Sequence, residues 1–133
     1  MTTIEEDYVS FETSKLLKEK GFNGKLLTFY ITDEAKKEGY FQLMAFTDDK
    51  IDNNHSDNCY LAPTLQMAIK WLREEKGIAV VPIISSVLDN ERFLWDVEIT
   101  VAKTNETYHQ GWIYGSYERA CEVAIKYCLE HLI

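Results

Sequence analysis

Residues 93 to 101 read FLWDVEITV. Phe93, Trp95, Val97, Ile99 and Val101 alternate with Asp96, Glu98 and Thr100, and Leu94 is the one exception. Successive side chains of a strand point to opposite faces, so a period of two sends the apolar set one way and the polar set the other. A helix cannot use this pattern, because its period of 3.6 would scatter both sets around its surface. A strand apolar on one side suits an antiparallel sheet with one face covered and one face in water. The rest of the chain must supply that cover and the neighbouring strands.

Three segments carry the helical period needed for the cover. In SFETSKLLKEKGF, Ser10 is an N-cap, Glu12 lies in the first turn, and Lys18 and Lys20 suit the negative C-terminal end. Gly21 then takes the left-handed cap position and Phe22 folds back on Leu17. In PTLQMAIKWLREEKGI, Thr64 is the candidate cap and Leu65, Ala68, Ile69 and Leu72 form one stripe. Gly77 ends that helix and Ile78 is placed to touch Leu72. In SYERACEVAIKYCLEHLI, Ser116 caps, Glu118 favours the first turn, and Ala120, Cys121, Ala124, Ile125, Cys128, Leu129 and Leu132 make a wide apolar face. The endings KLLKEKGF and KWLREEKGI echo each other. Shared helix-stop chemistry accounts for the echo without an internal repeat.

The remaining strand signals lie between these helices. TYHQGWIY pairs with residues 93–101 across the turn KTNE, and Tyr108, Trp112 and Tyr114 share a face. IAVVPII reads as a more buried strand, although Pro82 lacks a ladder donor and points to an edge or a bulge. LLTFYI and YFQLMAF are strands joined by TDEAKKEG. The predicted order is α-β-β-α-β-β-β-α, an α+β fold with an antiparallel sheet and helices packed on one face. No linker rich in Gly, Pro or Ser divides the chain, and 133 residues is a length typical of one domain, so residues 1–133 are expected to form a single domain. Residues 47–58 are the only long polar break.

Charge and composition exclude several functional classes. Lys and Arg number 14 against 22 Asp and Glu, a net charge of -8. No stretch places more than two basic residues side by side, so nonspecific attraction to nucleic acid or anionic lipid is disfavoured. MTTIEEDYVS has neither a basic start nor an apolar core, unlike a secretory signal. The longest apolar run, IAVVPII, is far short of a membrane span. Three cysteines give an odd count without disulfide spacing. A reducing, cytoplasmic setting is expected, and the sequons NHS and NET then carry no meaning.

Three pieces, YVSFETSKLLKEKGF, YLAPTLQMAIKWLREEKGI and YERACEVAIKYCLEHLI, together cover about half the chain. They resemble a family of small, uncharacterised proteins found in gut bacteria and in their phages and prophages. The resemblance implies a cytoplasmic protein of mobile-element origin. It brings no activity, ligand or catalytic residue to transfer.

FTDDKIDNNHSDNCY, residues 46–60, concentrates groups that carry chemistry. A calcium loop of the EF-hand type needs glycine at its sixth position and glutamate at its twelfth. From Asp48 these are Asn53 and Cys59, and from Asp52 they are Asp57 and Pro63, so both registers fail. His55, Asp57 and Cys59 are three zinc-type ligands, but a structural site needs about four, and His109 and His131 stand alone in sequence. The simpler reading is a polar turn whose Asp and Asn side chains bond the local backbone.

Cys121 and Cys128 lie seven apart on one helix, about 10 Å along its axis, too far to bridge. They are expected to serve as small buried hydrophobes. Cys59 as a nucleophile would need a base such as His109, and no nucleophile elbow or flanking glycine signature supports it. Asp96 and Glu98 pose the glycosidase question, although alternating acids are ordinary on a solvated strand face. Neither glycine-rich phosphate motif is present.

Residues 64–131 have the order α-β-β-β-α, which looks like a double-stranded-RNA-binding domain. Such domains grip phosphates with a basic cluster at the start of the final helix. Here Arg119 and Lys126 are set against Glu118 and Glu122, so the likeness is one of topology. The aromatic face of Tyr108, Trp112 and Tyr114 is either core under the final helix, the favoured reading, or a partner surface.

No catalytic, cofactor-binding or metal-ligating residue is therefore assigned, and no cofactor. The expectation is a non-enzymatic accessory protein that binds another protein or itself, without nucleic acid or membrane. The alternatives are an enzyme or small-ligand binder whose site assembles only in the fold, and an acidic nucleic-acid mimic.

Overall fold

A computed structural model describes residues 6–32, 41–45, 49–109, 111 and 113–133. Its elements are α1 (Phe11–Glu19), β1 (Thr28–Thr32), β2 (Phe41–Ala45), β3 (Cys59–Leu61), α2 (Leu65–Lys76), β4 (Ile78–Val87), β5 (Phe93–Val101), β6 (Glu106–His109) and α3 (Tyr117–His131). The class is α+β and the order α-β-β-α-β-β-β-α is as expected, with the three-residue β3 in addition. The strands divide between two antiparallel sheets, β2-β1-β3 and β4-β5-β6. The chain clusters into two units, divided in sequence between Thr64 and Leu65.

In the first unit, the Ser10 hydroxyl accepts from the Thr13 amide at 3.2 Å and starts α1. The helix stops as its sequence predicts. Gly21 sits at φ 86, its amide donates to the Lys18 carbonyl at 3.2 Å, and the Phe22 amide donates to the Leu17 carbonyl at 2.8 Å. This paired arrangement is the Schellman stop, and it brings the buried Phe22 back towards the buried Leu17. β1 is the centre of the sheet, with β2 and β3 both antiparallel to it. β2 and β3 therefore run parallel to each other on opposite edges. Parallel strands need a crossover of about a dozen residues or more. The connection from β2 to β3 includes residues 49–58, which explains the long polar break.

In the second unit, β5 is the central strand and follows its period of two. Val97 and Ile99 are fully buried, and their partners across the sheet are Pro82 and Val80 on β4, with Tyr108 on β6 opposite Ile99. The other face carries Asp96, Glu98 and Thr100. α2 and α3 pack on β4, and α3 also on β5. Ala120, Cys121, Ala124, Ile125, Cys128 and Leu129 of α3 are all fully buried, and Leu65, Ala68, Ile69 and Leu72 of α2 are buried too. Ser116 caps α3 by accepting from the Arg119 amide at 3.1 Å. Among the described residues, no helix is long and apolar enough to cross a membrane.

β4 is an edge strand, as Pro82 suggested. The Ala102 amide donates to the Gly77 carbonyl at 2.9 Å, so residues 77, 79, 81 and 83 direct their backbone groups towards β5. The Pro82 nitrogen consequently faces away from the ladder, where no donor is required. A bulge follows between Ile84 and Ser86.

Gly21 and Gly77 both end helices at positive φ, 86 and 64. The echo between the two helix endings is thus shared stop chemistry. The strand order argues against a structural repeat, because β1 is central in its sheet while β4 is an edge.

The β4–β5 turn closes with the Leu88 amide donating to the Arg92 carbonyl at 2.8 Å and the Glu91 amide donating to the Leu88 carbonyl at 3.0 Å. Glu91 occupies the left-handed position, φ 63, which this hairpin usually gives to glycine. Glu91→Gly is expected to raise the unfolding free energy by about 0.5–1 kcal/mol, relief of the Cβ clash exceeding the entropy of glycine. Urea titration of dilute protein reads the difference.

Candidate functional site

The acidic segment is a fastened crossover. The Leu26 and Ile51 amides each donate to the other's carbonyl at 2.8 Å. The Asn54 amide donates to Asp52 Oδ1 at 2.9 Å, a turn in which the side chain replaces a backbone acceptor. Asn53 Oδ1 accepts from the Leu61 amide at 2.9 Å, and Asn58 Nδ2 donates to the Thr32 carbonyl at 3.2 Å. Ser56 Oγ donates to Asn58 Oδ1. Residues 46–48, including Asp48, lie outside the described residues.

Lys18 joins α1 to this crossover. Its ammonium donates to the Ser56 carbonyl at 2.9 Å and to the Cys59 carbonyl at 2.8 Å, and lies 4.7 Å from the centre of the Tyr60 ring. Charge-assisted hydrogen bonds of this kind are worth more than neutral ones. Lys18→Met keeps the stem and removes the charge. It is expected to destabilise the first unit by about 2 kcal/mol, measured by urea unfolding against the wild type.

The three zinc-type ligands do not converge. Cys59 is buried, while His55 and Asp57 are exposed. Among the described residues, no three His, Cys, Asp or Glu side chains gather as a metal site. Burial pushes the Cys59 thiol up, partly offset by its hydrogen bond with Ser56 and by the Lys18 charge. The thiolate that a nucleophile requires is thereby disfavoured. Cys121 and Cys128 are fully buried, and desolvation lifts them to about 11 and about 12.

Asp96 and Glu98 share a strand face with His109. Asp96 is buried at 7% exposure, more than an ordinary solvated strand would give. Its Oδ1 accepts from the Val97 amide at 2.7 Å, and its Oδ2 lies 3.4 Å from His109 Nδ1. His109 Nε2 lies 4.0 Å from Glu98 Oε1. The two carboxylates approach opposite nitrogens of one ring, so a single ion cannot be held by all three. A carboxylate also occupies the side of the ring where a nucleophile would stand. His131 is exposed and stacks obliquely on Tyr127, with ring centres 4.8 Å apart.

The aromatic face expected from sequence is only partly core. Tyr108 and Tyr114 are half-buried, and Trp112 lies outside the described residues. The Tyr108 hydroxyl donates to Glu106 Oε2 at 2.9 Å, while the Tyr114 hydroxyl is buried without a partner among the described residues. Tyr114 exchanges two backbone hydrogen bonds with Trp95, at 2.7 and 2.8 Å. The aromatic row that does form runs along β5 and into α3. Phe93 meets Trp95 edge-on at 6.0 Å, and Trp95 meets Tyr117 edge-on at 5.1 Å.

That row leads to a surface which the sequence did not reveal. Ile84 pairs with Trp95 and Val87 with Phe93, so all four point to the helix-bearing side of the sheet. Past Trp95 the cover ends. Ile84, Val87 and Phe93 are 51%, 62% and 46% exposed. The run IAVVPII was expected to be more buried, but only Ile78 and Val80 are core, at 2% and 5%. Strand and helix dimensions account for the difference. A strand of 10 residues reaches roughly 33 Å, whereas α3, with 15, reaches roughly 22 Å, so the hairpin overhangs its cover. Both a buried strand and an overhanging one read as apolar runs, and only the length mismatch hinted at the outcome.

Comparison with protein-family models, with curated proteins and with solved structures gives no match to this chain.

Proposed function

We propose that this is a non-enzymatic accessory protein of the cytoplasm, of mobile-element origin, that acts by binding protein through the overhanging end of the β4–β5 hairpin. One observation carries the reading: Ile84, Val87 and Phe93 form an apolar, half-exposed continuation of the covered sheet face, bordered by the partly buried Trp95 and Tyr117. Contiguous apolar surface of this kind marks interaction sites, and aromatic residues dominate their energetics. The chemistry-bearing side chains point the same way. The thiols are held protonated by burial, and the polar crossover binds its own backbone.

The test uses the full chain as bait in native lysate, beside Val87→Asp. Val87 is exposed, so the variant keeps the fold. The expected result is a protein, a further copy of this chain included, retained by the wild type and lost by the variant. Retention of nothing specific, together with a monomeric mass, contradicts the proposal.

A second reading, an enzyme with a site assembled in the fold, has the buried Asp96 beside His109 in its favour. It predicts a hydrolytic activity that disappears in His109→Ala, and a broad ester and glycoside screen decides it.

A further inference from the structure

We infer that Asn23, apart from the protein-binding surface, is a site of spontaneous modification. There the folded chain converts the side-chain amide to an acid through a cyclic imide formed with Gly24.

An asparagine side chain is open to attack by the backbone nitrogen that follows it. The reaction closes a five-membered ring within the chain, so orientation and access decide its rate. Two features oppose it. A side chain on the following residue crowds the nitrogen, and a hydrogen bond from that nitrogen holds its proton and fixes its plane. The chain has asparagines at 23, 53, 54, 58, 90 and 105. All but Asn23 are followed by a residue with a side chain, and each of those following amides is bonded. The Asn54 amide donates to Asp52 Oδ1 at 2.9 Å, and the His55 amide to the Asp52 carbonyl at 3.2 Å. The Cys59 amide donates to the Ser56 carbonyl at 3.2 Å and the Glu91 amide to the Leu88 carbonyl at 3.0 Å. The Glu106 amide donates to Thr104 Oγ1 at 3.4 Å. Asn23 differs in both respects. It is exposed, glycine follows it, and the Gly24 amide makes no hydrogen bond among the described residues.

Packing requires that glycine. Phe22 turns back to complete the α1 stop, and a Cβ on Gly24 would stand 2.8 Å from Cζ and 2.9 Å from Cε1 of its ring. The stop that ends α1 thus leaves an unprotected asparagine at the exit of the helix.

Water is the only co-reactant. The Gly24 nitrogen gives its proton to solvent and bonds to Asn23 Cγ. The Cγ–Nδ2 bond breaks, and ammonia leaves with a proton from solvent. Water then opens the imide at either carbonyl, and no electron is transferred. Opening at the side-chain carbonyl gives an aspartyl residue. Opening at the main-chain carbonyl gives an isoaspartyl residue, whose backbone is one atom longer. That atom falls between two fixed points. The Phe22 amide donates to the Leu17 carbonyl at 2.8 Å and the Phe22 carbonyl accepts from Asn53 Nδ2 at 3.4 Å. Leu26 exchanges two bonds of 2.8 Å with Ile51. The isoaspartyl form therefore strains the first unit, whereas the aspartyl form adds only a charge.

Peptide mass analysis of the full folded chain, aged in warm, mildly alkaline buffer, tests the inference. The gain in mass from amide to acid is expected at position 23, several-fold ahead of every other asparagine, with isoaspartate among the products. Asn23→Ser should keep its whole-chain mass over the same period. In urea, which frees the other five amides, their lag should narrow while position 23 keeps its rate. Aged protein should unfold at a lower urea concentration than fresh protein, and Asn23→Asp at the wild-type concentration, which separates the longer backbone from the added charge. An Asn23 that stays intact in the folded chain but converts in urea overturns the inference. So does conversion at Asn53, Asn54, Asn58, Asn90 or Asn105 ahead of it.

Discussion

Between pH 9 and pH 11 the second unit is expected to lose about 4 kcal/mol of stability through two side chains, Cys121 and Cys128. Both thiols are fully buried on α3, and desolvation raises them from 9.0 to about 11 and about 12. The sign follows from proton counting. In the unfolded chain both thiols ionise as the pH passes about 9, whereas in the folded chain they stay protonated. The unfolded state therefore binds fewer protons, and stability falls as pH rises. The contribution is fully present below pH 9. It is lost up to about 11 for Cys121 and about 12 for Cys128, with each thiol giving about 2–3 kcal/mol by pH 11. Tyr114 and Tyr117, also raised by burial, act in the same direction at higher pH. The double variant Cys121→Ala/Cys128→Ala should be less stable at pH 7 yet lose much less between pH 9 and 11. Urea unfolding across that range reads both slopes. Parallel curves would mean that the thiols ionise in place and that α3 does not bury them.

Ile99→Ala is expected to destabilise the second unit by about 3 kcal/mol, and Thr100→Ala by well under about 1. Ile99 is fully buried and paired with Val80 and Tyr108, so truncation leaves a cavity in addition to the lost transfer energy. Thr100 is one residue along and faces the opposite side, where its hydroxyl shares a bond of 3.1 Å with Thr107. A one-residue slip of β5 would exchange these two roles, so the pair of values tests the register as well as the burial. Similar costs for both variants would contradict the sheet as described.

The elements legible in the sequence are those whose signal is local. Ser10 and Ser116 cap through their own turns, Gly21 and Gly77 stop helices through their own φ, and residues 93–101 declare two faces by alternation. Two kinds of feature were not legible. β3 spans three residues, too few for a period, and is a strand because it pairs with Phe29, Tyr30 and Ile31 far earlier in the chain. The division into two sheets depends likewise on which strands meet. The overhang at Ile84, Val87 and Phe93 is a matter of relative length, since an apolar residue carries no mark of whether a helix reaches far enough to cover it. The acidic segment misled in the other direction. Its Asp and Asn residues look like ligands, and they serve to tie a crossover that the strand order β2-β1-β3 makes necessary.

Amide hydrogen exchange, compared between dilute and concentrated protein, tests most directly the proposal that this chain makes contact through the hairpin end. Added protection should appear on concentration in residues 84–95 and in the first turn of α3, with the crossover at 49–58 unchanged. Exchange that is independent of concentration along the whole hairpin, or protection that appears at the crossover instead, would contradict the account.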